Sequence, residues 1–214
     1  MPDKTKKYST LNLMLAGMER LFLMIMIGLV FPLLLGLVGW WGSLPFVPER
    51  SIVYFALGGF MLGVLVDLVF LRFWTRTALS LPLIWPLLIY LFYSAGMFGF
   101  FMGVPTFNMV MGPVGGYYMG MRLRAKNSDK VEVEKTARQT GIFAALILAA
   151  ACAASLVIAW LDPYLEANIS GMFALTKPIS KTVILALSGA AGVGLVVLEY
   201  IITRAAVRFA RFLD

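Results

Sequence analysis

The sequence predicts an all-α integral membrane protein: a six-transmembrane-helix bundle with N and C termini cytoplasmic and a broken fourth helix. Three observations carry this prediction. Apolar residues make up 61% of the chain and its mean hydropathy is +0.88, whereas ordinary globular domains are roughly half apolar. Charged residues are only 14% of the total. They cluster between apolar runs of about twenty residues, the length that crosses a hydrocarbon core of ~30 Å at ~1.5 Å per residue. Finally, six spans place fifteen of the eighteen Lys and Arg residues on one side, leaving Arg50, Lys177 and Lys181 on the other. Basic residues near span ends are retained on the cytoplasmic side, so this asymmetry sets both span count and orientation.

Residues 1–10 form a polar tail carrying Lys4, Lys6 and Lys7, with Ser9 or Thr10 placed to cap a helix from Leu11. The apolar stretch that follows is too long for a signal-peptide core and has no obvious cleavage site, so it reads as a retained first helix. From Leu11 to Trp41 it would measure about 46 Å as one helix, more than a bilayer needs. The Glu19–Arg20 pair divides it. Residues 11–18 are therefore expected at the inner interface and the first span over 21–40, kinked at Pro32.

An outer turn with Pro45 and Pro48 leads to the second span, 52–71, which ends at Arg72 and Arg76. The third span, 81–101, opens with Pro82 and Pro86. The fourth, 103–120, is interrupted by Pro105, Asn108, Gly112, Pro113, Gly115 and Gly116. A basic inner segment follows, with Arg122, Arg124, Lys126, Lys130, Lys135 and Arg138. The fifth span is expected over 141–161 and the sixth over 182–202, joined by an outer loop, 162–181. The fourth segment decides the topology. If it did not cross, the later basic residues would invert and the asymmetry would vanish. Trp40, Trp41, Trp160 and Tyr164 near outer ends, with Trp74, Tyr117, Tyr118 and Tyr200 near inner ends, fit aromatic belts. The whole chain, 1–214, reads as one polytopic domain, a multi-pass protein of a prokaryotic cytoplasmic membrane.

Composition also excludes functions. The net charge of +7 follows from the positive-inside bias and from attraction to anionic headgroups of membrane lipids, not from nucleic-acid binding. Cys152 is the sole cysteine, so no intrachain disulfide forms, and histidine is absent. No metal-ligand cluster, haem ligation motif, phosphate-binding loop or histidine-based catalytic triad is present. No metal or other cofactor is expected, and an enzyme is the least favoured class.

The segment GVPTFNMVMGPVGGYYMGMR, residues 103–122, is the main functional lead. Pro113 removes an amide donor, and Gly115 and Gly116 permit unwinding, so an irregular ladder is expected between Met109 and Gly116. Interrupted membrane helices line substrate sites where freed backbone groups meet a ligand. The other reading is a kinked helix whose glycines let neighbours pack closely. Asp67 and Glu199 are the only acids within the expected spans. They are read either as a cytoplasm-facing proton or cation site or as ion pairs with Arg122 and the adjacent arginines. Tyr117 lies at their level. Asn108 with Tyr90, Tyr93 and Ser94 would line the middle of the membrane or simply bond between helices.

Ala145, Ala149 and Ala153, like Ser188 with Gly192 and Ala190 with Gly194, form small-residue rows suited to close helix approach. Asp129 and Glu132 resemble a capping box, and Lys130–Glu134 and Glu134–Arg138 are pairs four residues apart. Arg204, Arg208 and Arg211 beside apolar Val207, Phe209 and Phe212 suit an interfacial helix on anionic lipid. Residues 172–175 could dip into the membrane as a lid.

In size and expected topology the chain resembles the membrane-embedded substrate-binding subunits of energy-coupling vitamin transporters, at the level of fold alone. The expected function is transport-type, with a small-solute or ion site of Asn108, Gly112, Pro113, Gly115, Gly116 and Tyr117, joined by Asp67 and Glu199. The alternative is a non-catalytic membrane subunit or scaffold component, contacting partner membrane subunits or a second copy through its small-residue faces.

Overall fold

Apolar sequence of this length folds here as helix throughout. The computed structural model describes residues 4–174 and 179–213, which contain no strand. Among them the α-helices are α1 (Lys4–Gly28), α2 (Val30–Ser43), α3 (Glu49–Thr77), α4 (Ile84–Phe100), α5 (Met111–Ala125), α6 (Lys130–Leu161), α7 (Leu165–Met172) and α8 (Lys181–Arg211). Short 3₁₀ segments cover Ala78–Ser80 and Pro105–Val110.

Four stretches are long and apolar enough to cross a membrane: Met14–Ser43, which joins α1 and α2, then Glu49–Ser80, Lys130–Leu161 and Lys181–Arg211. Their outward faces are apolar, as at Leu68, Val69, Leu146, Leu187 and Val193. Water penalises contiguous apolar surface of that extent, whereas lipid does not. The chain is an α-helical membrane protein.

Observed boundaries differ from the expected spans for local reasons. The α3, α6 and α8 helices all extend beyond their apolar runs, because helical hydrogen bonding continues into polar flanks until a cap stops it. Asp129 is such a cap, its Oδ1 accepting from the Glu132 amide at 2.7 Å. The ladder of the first apolar stretch loses a rung at the Gly28 carbonyl, because Pro32 has no amide to offer it, while Leu29 keeps its bonds to Ile25 and from Leu33. The third expected span is reduced to the 17 residues of α4. That helix starts only at Ile84, with Pro86 in the opening turn, where an absent amide costs nothing. At its end Met102 (φ 54) and Gly103 (φ 80) take left-handed conformations. Met102 donates to Gly99 and Gly103 to Phe98, a Schellman closure that turns the chain into the 3₁₀ segment.

The fourth expected span is irregular mostly ahead of the expected window, which the 3₁₀ geometry enters at Met109 and Val110, with the Met111 amide donating to Asn108. The α5 helix runs unbroken through Pro113, Gly115 and Gly116. Pro113 lies in its first turn, where no intrahelical donor is needed. The irregularity comes earlier, in the 3₁₀ geometry of Pro105–Val110. Within the expected outer loop, residues 165–172 form α7, whose Met172 is exposed. Leu175 and Lys177 lie outside the described residues.

The chain divides into two compact units, the first running to Ile89 and the second from Tyr90 to Leu213. In the first, α2 and α3 form an antiparallel pair around a row of small residues. Gly39 lies on the backbone of Phe55 and Ala56, Gly59 on that of Leu35, and Gly63 on Pro32. In the second, α5, α6 and α8 pack on one another, with the 3₁₀ segment against all three.

Neighbouring glycines on α3 test the first unit. Gly58 has nothing within 4 Å of where a Cβ would stand, whereas at Gly59 a Cβ would overlap the Leu35 carbonyl. Thermal unfolding in detergent should show Gly58→Ala neutral or stabilising, by up to roughly 1 kcal/mol from helix propensity. Gly59→Ala should lose about 1–3 kcal/mol to overpacking.

Candidate functional site

Three glycines of α5 are spaced by four: Gly112, Gly116 and Gly120. Spacing by four keeps them on one face, and α8 lies along it. Gly112 faces the Glu199 and Thr203 side chains, Gly116 the backbone at Thr203 and the Ala206 methyl, and Gly120 Val207 and Ala210. Residue numbers rise together on both helices, so α5 and α8 run parallel. A methyl group at any of the three positions would overlap α8. Absence of side chains is what lets the backbones meet. Gly115 lies off this face, against the Tyr90 ring, 3.0 Å from where its Cβ would be.

The register fixes the environment of Glu199. Its side chain is fully buried, as is that of Thr203 one turn on. The Gly112 amide is within reach of the carboxylate. Neither carboxylate oxygen closes a hydrogen bond of good geometry, and the Thr203 hydroxyl is likewise unpartnered. Asn108, 4% exposed, donates from Nδ2 to the Ser94 carbonyl at 2.9 Å, leaving its Oδ1 without a partner. Tyr90 lies near Glu199 and beside Ser94. Glu199, Thr203, Asn108, Ser94 and Tyr90 thus form a polar group set beside an apolar cluster of Tyr90, Met111 and Ala144.

The expected ion pairs of the two acids do not form among the described residues. Glu199 lies at the level of Gly112, and Arg122 is ten residues further along a parallel helix, about 15 Å away. Arg122 is instead buried beside Tyr118 and hydrogen-bonded to it. Asp67 belongs to the first unit, 7% exposed, beside Leu71 and Gly28, with its Oδ1 unpartnered. Of the residues singled out from the sequence, Asn108, Gly112, Pro113, Gly115, Gly116, Tyr117 and Glu199 share the second unit. Gly112 and Glu199 are in direct apposition, and Tyr117 is half-buried. Thr203 and Gly120 were not singled out, although each is four residues from one that was.

Arg204, Arg208 and Arg211 are engaged by protein. Glu134 takes both of the first two: Arg204 Nη2 reaches its Oε1, and Arg208 Nη2 its Oε2 at 2.7 Å. Glu134 therefore bridges α6 to α8 in place of the expected pairing within α6. Arg204 also donates to the Tyr200 hydroxyl at 2.9 Å and stacks on its ring. Arg211 donates to the Ser128 carbonyl, and Arg124 to those of Ala210 and Leu213, neutralising the negative end of α8. The intervening turn is closed by Asn127 (φ 52), with Ser128 donating to Leu123 and Asn127 to Arg124.

Comparison with known protein families, with curated proteins and with solved structures gives no match. What the protein does is thus read from its own residues.

Hydrogen bonds from Arg208 hold the Glu134 carboxyl below the usual glutamate range, and the Arg204 guanidinium adds to the effect. A lowered folded value means that the clamp contributes fully above the ordinary value of about 4.5 and is lost as pH falls through the folded one. Hydrogen exchange of the amides of residues 130–138 should accelerate over that acidic window. In Glu134→Gln it should be fast already at neutral pH and lose its dependence on the carboxyl.

Proposed function

We propose that this is a transport-type, multi-pass membrane protein whose small-solute or ion site lies where the 3₁₀ segment enters α5, beside Glu199. The observation that carries the reading is the fully buried Glu199 carboxyl, unpartnered on a helix long enough to cross a membrane. An ionisable group in that position is costly, and protein architectures that keep one use it for ion or substrate pathways. The adjoining change from 3₁₀ to α geometry supports it, since non-regular backbone at membrane depth is tolerated where it meets protein or a cavity.

In this reading the chain crosses six times, with α1 and α2 together forming the first crossing. The 3₁₀ segment and α5 have a combined contour of about 34 Å, enough for the fourth. The third, α4, measures about 26 Å and requires a small tilt or local thinning of the bilayer. The basic ends of α3, α5 and α8 then face the cytoplasm and its anionic headgroups. In a Cys152→Ala background, an impermeant thiol reagent applied to sealed cells should label Ala167→Cys and not Lys130→Cys. The opposite pattern contradicts this orientation.

Flux measurements test the function. In proteoliposomes of the whole chain under imposed proton, sodium or potassium gradients, wild type should move the ion. Glu199→Gln should lower flux at least tenfold with little change in thermal midpoint. Flux unaffected by the substitution would contradict the assignment.

A non-catalytic subunit is the second reading, and one observation favours it. Gly194 on α8 has nothing within 4 Å of its Cβ position, beside exposed Val193 and Val197. That surface would admit the close approach of a helix from another protein or a second copy.

A further inference from the structure

We propose that Glu199 is a proton-binding site, neutral while α5 and α8 are closed on each other, and that it gives up its proton when they part. The proposal rests on the transport reading above and names the ion. Four features of the surroundings lead to it.

Among the described residues, no positively charged side chain faces the carboxyl. Gly112 of α5 and Thr203, one turn along α8, meet the carboxyl, and Tyr90 of α4 lies near it. Asn108 of the 3₁₀ segment is bonded to Ser94, which lies beside Tyr90. On α6, Ala144 packs with Tyr90 and Met111, and the Cys152 thiol lies opposite Gly192, two turns before Glu199 on α8. Arg204 turns away to Glu134 and Tyr200. A carboxylate so enclosed has no counter-ion among the described residues, the Gly112 amide being the donor in reach, and an unpaired charge there is costly.

The groups present do not suit an anion. Within this polar group the unpartnered atoms are oxygens: both from Glu199, Oγ1 of Thr203, Oγ of Ser94 and Oδ1 of Asn108. An organic solute does not fit between the helices, because even a methyl group at Gly112 would overlap Glu199 and Thr203. A hard metal cation calls for about six converging oxygens. At Gly112 the Glu199 and Thr203 side chains meet, whereas Asn108 is tethered by its amide to the Ser94 carbonyl. A proton needs no such shell. It requires one oxygen to carry it, and Thr203 one turn away on the same face offers an acceptor. Release breaks only the O–H bond of Glu199 and transfers the proton to water admitted between the parted helices. Nothing is oxidised or reduced.

The glycine seam supplies the means of opening. Backbone contact at Gly112, Gly116 and Gly120 carries no interdigitated side chains on the α5 side, so α5 can slide or part from α8 without rotamer change on that face. Closure dehydrates Glu199, and opening hydrates it. Each proton bound is thereby tied to the closed arrangement.

Infrared difference spectroscopy on the whole protein in lipid tests this, with protons and sodium as the probes. At neutral pH the wild type should show the carbonyl stretch of a protonated carboxyl group that is missing from Glu199→Gln. The band should be equal in sodium-free and sodium-containing buffer and should disappear as pH is raised. Glu199→Gln, which has the shape of the neutral acid, should keep the wild-type thermal midpoint, and Glu199→Asp should retain a band at shifted frequency. Absence of a Glu199 band at neutral pH in sodium-free buffer overturns the proposal, as does a band that sodium abolishes. The spectrum is independent of flux. A titrating band without flux under any gradient upholds the proton site and overturns the transport reading, whereas sodium-dependent flux without a band does the reverse.

Discussion

The close parallel approach of α5 and α8 is the constraint on which the second unit depends. Gly112, Gly116 and Gly120 remove the side chains that would hold the helices apart. The backbones meet, and whatever α8 carries at residues 199, 203 and 207 is pressed against α5 with no intervening water. Val207 suits that position, as part of a buried cluster with Leu123, Val133 and Ala137. Glu199 does not suit it on packing grounds. A carboxyl there gains no charge partner and loses its hydration. A sequence selected for packing alone would place an apolar residue at that point, so a buried acid on a glycine seam is a feature to be explained by function.

The same register settles the other charges. Because α5 and α8 run parallel, their basic ends lie together, and the turn between α5 and α6 meets the end of α8. Across that junction Arg124 donates to the Ala210 and Leu213 carbonyls and Arg211 to that of Ser128, while Glu134 gathers Arg204 and Arg208. The Glu134 pairs are exposed and individually modest. They also draw the arginines nearest Glu199 in sequence toward Glu134, which leaves the carboxyl uncompensated. Asp67 has a similar setting within the first unit: a buried acid beside Gly28, where the ladder of the first apolar stretch is interrupted.

Much of the fold was legible in the sequence because long apolar runs and their caps act locally. The helices through 52–71, 141–161 and 182–202, the Asp129 cap, and the interruption before Pro32 all follow from composition, capping chemistry and the missing proline amide. Partner choice was not legible. Glu134 lies four residues from Lys130 and from Arg138, yet it binds arginines seventy or more residues away, because α8 brings two guanidiniums to one carboxylate. Sequence depth put Glu199 near Arg122, but helix direction and register separated them. Pro113 marked an irregular segment, but it lies in a first turn that accommodates it, and the irregularity is in the 3₁₀ geometry ahead of it. The spacing of Gly112, Gly116 and Gly120, and of Glu199 and Thr203, was present in the sequence. What it could not supply was that the two rows face each other.

The central claim is that Glu199 is retained at a cost to stability because it carries ions. Glu199→Met, which fills a similar volume without polar atoms, tests it most directly when thermal midpoint and ion flux are measured on the same preparation. The account predicts a midpoint equal to or above that of the wild type together with loss of flux, since replacing an unpartnered buried polar group removes a destabilising element. A lowered midpoint with flux preserved in the protein that remains folded would show that Glu199 holds the structure together and would contradict the account.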